Sequence, residues 1–480
     1  MILHWPGKIF ALVTGLMLAF SVVVATSIST MIGAILVPAL MVGVYLIFMP
    51  FAGLVLLTVF AQLDAIGNLA SGFLPISLYK ILTVTTLCGF GLMSFRKARD
   101  LRMGPPTQEM RYAVLFGLIM GMSFLFCKYP SPGLTHIIGF VSVMLLFFLI
   151  IVMVDTPQKL EILVWVLLLS GFFSSIIVLL ETLLGIRLLS TSQAAASASF
   201  EGQARSAGAS DYNPTTAAHM LLATTIIAAV LLVQHPRMRW LSFLALIVGI
   251  AALVLTFARS AVIAFAVVAV IFAWQNRHHK LFAFSLCLIL LVVAAAVPFV
   301  PDLFWTRMLT LVDIGLDRTL LRRISYNIIG LELLSQHPIL GIGPGNFPFY
   351  YASDEFRWFP GREPLPRQLH NTYLEVAAET GLLGLSAFLA VMISALRRAV
   401  QAAAANVGPV SAMARALSYA FGAFLVASIF MPNEDTKFMW ILPGLCVASW
   451  RLAVFDRLPD RIGSVAPAPL VFRHRKRAEI

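Results

Sequence analysis

What this chain has least of is charge. Of its 480 residues only 12% are Asp, Glu, Lys or Arg, whereas 60% are hydrophobic, and mean hydropathy is +0.92. Such a composition excludes a soluble globular protein. Cysteine is scarce as well. Cys88, Cys127, Cys287 and Cys446 lie inside or at the ends of apolar runs without CxxC spacing, which leaves no basis for a disulfide framework or a cysteine metal site. HExxH is missing, and the only adjacent histidines are His278 and His279, so no motif supports metal catalysis. No serine sits in a nucleophile elbow. The turn GIGPGNF, residues 341–347, has neither a GK[ST] ending nor a βαβ frame, which rules against a nucleotide loop. The chain also lacks an internal repeat, the usual mark of a two-halved transporter. A net charge of +12 would suggest nucleic acid in a soluble protein. Here the basic residues sit in short loops and the tail, where the positive-inside rule accounts for them, and no nucleic-acid partner is expected.

What the chain does have is a succession of apolar runs, each about 17–25 residues, the length that crosses a hydrocarbon core as an α-helix. They fall at 9–26, 31–49, 51–66, 76–95, 111–127, 134–154, 161–184, 214–233, 240–257, 259–275, 281–299, 372–396, 412–430 and 438–454. The fold class is therefore an all-α polytopic membrane protein of about 12–14 spans. The lower counts apply if the third run, which is short and follows Pro50, is re-entrant or merged with its neighbour. The first run, from Ile9, lacks a cleavage site and is expected to be a retained helix.

Orientation comes from the basic loops. The segment Arg96 to Arg111 carries the strongest cluster, and alternation places His235–Arg239, Gln275–Lys280, Arg397 with Arg398, and the tail 456–480 on the same, cytoplasmic side. Two longer segments remain outside, 185–213 and 300–371. The expected organisation is thus helices over 1–299 with a small outer loop at 185–213, a large periplasmic loop at 300–371, helices over 372–455 and a basic cytoplasmic tail. Within the large loop, Leu320, Leu321, Ile324, Ile328, Leu331 and Leu334 recur at helical spacing, the pattern of an interfacial helix in contact with lipid or protein. Pro338 ends it, and Gly341, Gly343 and Gly345 form a turn that lets backbone approach a ligand or a helix.

Several residues have chemistry to offer, each with an ordinary reading beside it. His370 precedes an apolar helix in HNTYLEVAAETGLLGL, residues 370–385, and Glu375 and Glu379 lie a turn apart on one face of that helix. Capping and anchoring is the plain role; proton transfer from a hydroxyl is the functional one. Arg259, in LTFARSAVIAF, lies between two apolar runs without a polar loop, and so calls for an anionic partner or for snorkelling to the interface. Arg205 lies in a small-residue loop ahead of the helix start Asn213–Pro214, and Arg322 and Arg323 lie on the interfacial helix; solvated loop and headgroup contacts are their plain roles. Taken together, arginines on one face suit a diphosphate, because guanidinium forks bind its oxygens and keep their charge.

The set HNTYLEVAAETGLLGL, HPILGIGPGNF, TFARSA and RSAGASDYNPTTAAHML resembles the O-antigen ligase and O-antigen polymerase superfamily of bacterial membrane glycosyltransferases, over roughly residues 200–390. The resemblance implies a GT-C type fold with a large periplasmic loop carrying the active site, in the inner membrane. It also implies a metal- and nucleotide-independent enzyme with no cofactor, whose donor is an undecaprenyl-diphosphate-linked glycan. His370 is then expected to act on the acceptor hydroxyl, with Arg205, Arg259 and one of Arg322 and Arg323 on the donor diphosphate. Asn371, Glu375, Glu379, Gly343 and Gly345 are expected to support them, the glutamates by orienting His370 or by holding the helix against the arginines. The acceptor is a second glycan in a polymerase, placed first here, or lipid A core in a ligase; membrane lipids and polysaccharide-assembly proteins are the other expected partners. A polysaccharide or lipid-linked oligosaccharide transporter is the more distant alternative, disfavoured because the polar groups gather in one outer loop.

Overall fold

The computed structural model describes residues 41–69, 78–96, 106–186, 188–189, 205–210, 213–278, 300, 302–309, 318–356, 358–359 and 365–455. The expected helices at 9–26 and 281–299, the first part of 31–49 and the basic tail lie outside the described residues. Among the described residues there are helices and no strands. In chain order they are α1 (Met41–Phe48), α2 (Pro50–Gln62), α3 (Asp64–Leu69), α4 (Leu78–Arg96), α5 (Gln108–Phe124), α6 (Pro130–Met153), α7 (Pro157–Leu184), α8 (Pro214–Gln234), α9 (Arg239–Leu255), α10 (Arg259–Asn276), α11 (Asp302–Leu309), α12 (Arg318–Gln336), α13 (Phe347–Ala352), α14 (Thr372–Ala404), α15 (Gly408–Ala427) and α16 (Lys437–Phe455).

Eight of the described helices are long and apolar enough to cross a membrane, and the chain is a multi-pass helical membrane protein. A ninth span arises if α1 and α2, bent by 117° at Met49, count as one. The bend falls at the Pro50 junction, where the missing N–H and the fixed φ of proline interrupt the ladder. The apolar helix α10, at 18 residues, is not among these eight.

At the centre stands α8, buried on nearly every side from Pro214 to Leu231. It packs against α7, α9 and α15, while α14 packs against α5, α15 and α16. The main core runs through these helices and includes Phe147, Phe388, Phe421, Phe424 and Trp440. A second, smaller core belongs to the outer segment: Tyr326, Ile329, Leu333, Ile342, Phe347, Tyr351, Phe356, Leu369 and Ala378. It seats α12 and α13 on the first turns of α14. The expected helix over 318–336 is present and has two apolar faces. Tyr326, Ile329 and Leu333 point into this core, and Ile324, Ile328 and Leu331 point outward.

Connections at the far end are made by basic residues. Arg398 Nε donates to Glu109 Oε1 at 2.9 Å and its guanidinium covers the Trp450 ring at 3.8 Å, while Arg415 Nη1 reaches Gln234 Oε1 at 3.1 Å. Because α8 starts beside His370 and ends at Gln234, and α14 runs from His370 towards Arg398, these cations lie at the opposite end of the bundle from His370.

Candidate active site

His370 stands at the start of α14, next to the residue that caps it. The side chain of Asn371 accepts hydrogen bonds from the N–H groups of Tyr373 (3.1 Å) and Leu374 (3.3 Å), an N-cap that starts α14 at Thr372. His370 itself has φ +61°, a left-handed conformation that side-chain-bearing residues rarely adopt. The ring is stacked on Tyr326, with 5.2 Å between centroids, and its Nδ1 lies 3.1 Å from Met431 Sδ. Burial pushes the His370 pKa down to about 3, and the charges of Arg323 and Arg367 push the same way. At neutral pH the ring is therefore the uncharged imidazole.

Glu379 and the glycine turn form the scaffold beneath it. Gly381 (φ +70°, ψ −176°) breaks α14 into two segments, so that its backbone groups bond to the turn rather than to the helix. Ile342 N–H donates to Ala378 O (2.9 Å), Gly343 N–H and Ser123 Oγ donate to Glu379 O (3.0 and 2.7 Å), and Leu382 N–H donates to Pro338 O (2.9 Å). The Glu379 side chain closes the arrangement by accepting from Gly345 N–H (2.7 Å) and Phe347 N–H (3.0 Å). A Cβ on Gly381 would collide with the Ile339 carbonyl, and one on Gly343 with the Cys127 side chain. One on Gly345 would press on His136 Cβ at 2.9 Å. The turn expected to approach a ligand or a helix thus approaches a helix. Glu375 accepts from Leu369 N–H (3.2 Å), which fixes the residue before His370. Both glutamates therefore hold backbone amides.

Two other helix starts converge on the same end. Arg205, buried, donates from Nε to Thr256 O (2.9 Å), just before α10, and from Nη2 to Thr215 Oγ1 (3.3 Å), in the first turn of α8. Arg259 opens α10, whose first turn has no side-chain cap and no acidic residue. Next to it, Ser260 Oγ lies 2.7 Å from His219 Nε2, and His219 Nδ1 lies 3.1 Å from Asn433 Nδ2. Asn433 N–H donates to Thr372 Oγ1 (2.8 Å), and Thr372 Oγ1 donates to Met431 O (2.8 Å). A continuous run of polar contacts therefore leads from the α10 start through His219, Asn433, Thr372 and Met431 to His370. Of the arginine pair on α12, Arg323 is the one whose Nη2 comes 4.0 Å from Met431 Sδ and whose charge is felt at His370. Arg322 is half-buried, and its carbonyl accepts from Ser325 Oγ.

Some of this neighbourhood was not expected from the sequence. His136, Glu379, Glu434 and Asp435 line a small cavity with Phe116, Met120, Phe140, Val376 and Thr380. His136 Nδ1 is 3.2 Å from Asp435 Oδ2. Burial and the neighbouring carboxylates hold the Glu434 carboxyl well above the usual range, and burial raises Asp435. Among the described residues, no group of three or more His, Cys, Asp or Glu is arranged to hold a metal ion. The available signals were His136 and His219 as lone histidines in apolar runs, and the polar triplet 433–435 between the last two helices.

No curated protein matches the chain. Residues 244–389 match the family model described as O-Antigen ligase. The matched stretch contains Arg259, Arg322, Arg323, the glycine turn and His370, and over it the chain is similar to the O-antigen ligase family.

Proposed function

We propose that the protein transfers a glycan from undecaprenyl diphosphate to an acceptor hydroxyl at the periplasmic face of the bacterial inner membrane, using neither nucleotide nor metal. One observation carries this reading: Arg205, Arg259, Arg323 and His370 come from four separate stretches of the chain to one end of the bundle. His370 and Arg323 both reach Met431 Sδ, and contacts from Ser260, beside Arg259, run through His219, Asn433 and Thr372 to the Met431 carbonyl. Arg205 bridges Thr256 O and Thr215 Oγ1 at the starts of α10 and α8. With Arg398 and Arg415 at the other end of the bundle, the positive-inside rule supports an outer, periplasmic position for this one.

The acceptor oxygen attacks the anomeric carbon, the bond from that carbon to the diphosphate oxygen breaks, and the electron pair leaves with the diphosphate. Arg205, Arg259 and Arg323 face the growing negative charge, helped by the uncapped start of α10, where first-turn N–H groups point at an anion. Fixed cations in a site of low dielectric stabilise such a leaving group more than water does. His370, neutral and within the same network, takes the proton of the acceptor hydroxyl. Attack opposite the leaving group inverts the anomeric configuration.

Replacement of His370 by Ala tests the reading with purified lipid-linked donor. The folded variant is expected to lose transfer while still binding donor, and full activity would overturn the role. The acceptor is assigned by the glycan profile of a strain lacking the gene: single-unit lipopolysaccharide marks a polymerase, and bare core with polymer retained on the lipid carrier marks a ligase.

A further inference from the structure

We infer that Met431 is a positioning residue for His370: its thioether sulfur receives the Nδ1 proton, fixes that tautomer and leaves the Nε2 lone pair to face the acceptor hydroxyl. The inference rests on the role proposed for His370 and goes beyond it by naming what orients the ring.

The chemistry of the contact decides the tautomer. A thioether has lone pairs and no proton to give, so a hydrogen bond across the 3.1 Å from His370 Nδ1 to Met431 Sδ requires the proton on Nδ1. A neutral imidazole has one N–H, and Nε2 is then the acceptor.

The two groups are also held in register independently of their own contact. Thr372, two residues after His370, donates from Oγ1 to Met431 O (2.8 Å), accepts there from Asn433 N–H (2.8 Å), and donates from its N–H to Ser428 O (3.0 Å). Met431 is 2% exposed, so water does not compete for the Nδ1 proton. The left-handed backbone at His370 and the Tyr326 ring beneath it restrict the other directions the imidazole could take.

Sulfur suits this place better than the carboxylate that more often orients a catalytic histidine. Arg323 Nη2 lies 4.0 Å from the same Sδ. A carboxylate there would pair with Arg323, withdrawing it from a diphosphate, and would favour the imidazolium, which has no lone pair. The thioether is a weak, uncharged acceptor that orients the ring without charging it.

The test uses full-length protein in lipid nanodiscs and purified lipid-linked donor. Met431→Leu fills similar space without an acceptor, and Met431→Gln restores an acceptor oxygen at a similar reach. The expected result is a roughly tenfold lower kcat for Met431→Leu with donor KM unchanged, since one neutral hydrogen bond is lost, and recovery of most of that loss in Met431→Gln. Placed on a His370→Gln background, Met431→Leu is expected to cause no further loss, because the residue acts through the ring. Wild-type kcat in Met431→Leu, equal impairment of the Leu and Gln variants, or the same fold loss in both backgrounds would each overturn the inference. Full activity of His370→Gln alone would instead overturn the role of His370, a result that separates the two claims.

Discussion

The His370 ring lies over the Tyr326 ring with 29° between their planes and 5.2 Å between centroids. Tyr326 is buried in the outer core and meets Tyr351 edge-on at 4.9 Å, so the surface beneath the imidazole is itself fixed. Aromatic pairs of this kind contribute about 0.5–1.5 kcal/mol beyond area burial, which corresponds to roughly two- to tenfold in a rate that depends on ring placement. Tyr326→Phe is accordingly expected to stay within about twofold of the wild-type kcat, and Tyr326→Leu to lose up to about tenfold. Glycan transfer under donor saturation checks this; equal kcat in all three proteins would show that the stack does not place the ring.

Stability of the outer segment should depend on the join between Glu379 and the glycine turn. Glu379→Gln replaces one acceptor oxygen with an NH2 group facing the N–H of Gly345 or Phe347, opposing donor to donor. Hydrogen bonds of charged groups are worth about 1.5–3 kcal/mol each, and a loss of this order is expected. Gly381→Ala adds a left-handed alanine, about 1–3 kcal/mol by itself, to a collision with the Ile339 carbonyl. Thermal unfolding in detergent should rank Gly381→Ala below Glu379→Gln and both below wild type. An unchanged midpoint for Gly381→Ala would mean that the break in α14 is not needed.

Helices were legible from run length alone, because lipid leaves the backbone no partner but itself, and α8, α14, α15 and α16 lie close to where the apolar runs put them. The site was legible where a costly residue stood in an apolar run, as Arg259 does, or where motifs clustered, as around His370. Contacts made across the fold were not. Nothing local marks Met431 as the neighbour of His370, since the two are separated by 61 residues and a complete helical hairpin. Nor does sequence distinguish Arg322 from Arg323: adjacent helical residues point about 100° apart, and only the seat of α12 on α14 brings Arg323 Nη2 to 4.0 Å from Met431 Sδ. The glutamates were expected to orient His370 or meet the arginines. In the structure Glu379 holds N–H groups of the glycine turn and Glu375 holds that of Leu369, next to His370, because the turn and the chain reversal before His370 expose N–H groups that hydrophobic periodicity does not count.

Donor affinity should follow the arginines at the starts of α8 and α10. Arg205 ties Thr256 O to Thr215 Oγ1 through two different nitrogens, a reach that the single ammonium of lysine cannot reproduce. Charge-assisted bonds of about 1.5–3 kcal/mol imply that Arg205→Lys weakens donor binding by roughly ten- to a hundredfold. Arg259→Lys is expected to behave similarly, since it preserves the charge at the α10 start and loses the fork. Binding of a lipid-diphosphate analogue measures both, with the matching lipid monophosphate as comparison. Lysine variants that bind the diphosphate as wild type does would remove these arginines from the donor site.

A second consequence of the cationic surroundings concerns pH. In the free protein the His370 pKa is pushed down to about 3 by burial and then by Arg323 and Arg367, so protonation of this ring cannot produce a loss of kcat/KM between pH 7 and 5, because that quantity reports the free enzyme. Bound diphosphate offsets the arginine charges, which raises the ring pKa in the complex, makes it a stronger base when the substrate is present, and moves the acid limb of kcat to higher pH than that of kcat/KM. The effect on folding has the opposite sign to that of a salt-bridged histidine. An unfolded chain takes up a proton at His370 below about pH 6.5 and the folded chain does not until about pH 3, so stability contributed by the neutral ring is complete above the unfolded value and is lost as pH falls through this window. His370→Gln should therefore flatten the decline of the thermal midpoint between pH 7 and 5. Arg323→Ala, with one of the two charges removed, should shift the acid limb of kcat/KM upward. A wild-type kcat/KM limb near pH 6.5 that disappears in His370→Gln would show that the ring titrates as an ordinary solvated histidine, and the electrostatic account of its neutrality would fail.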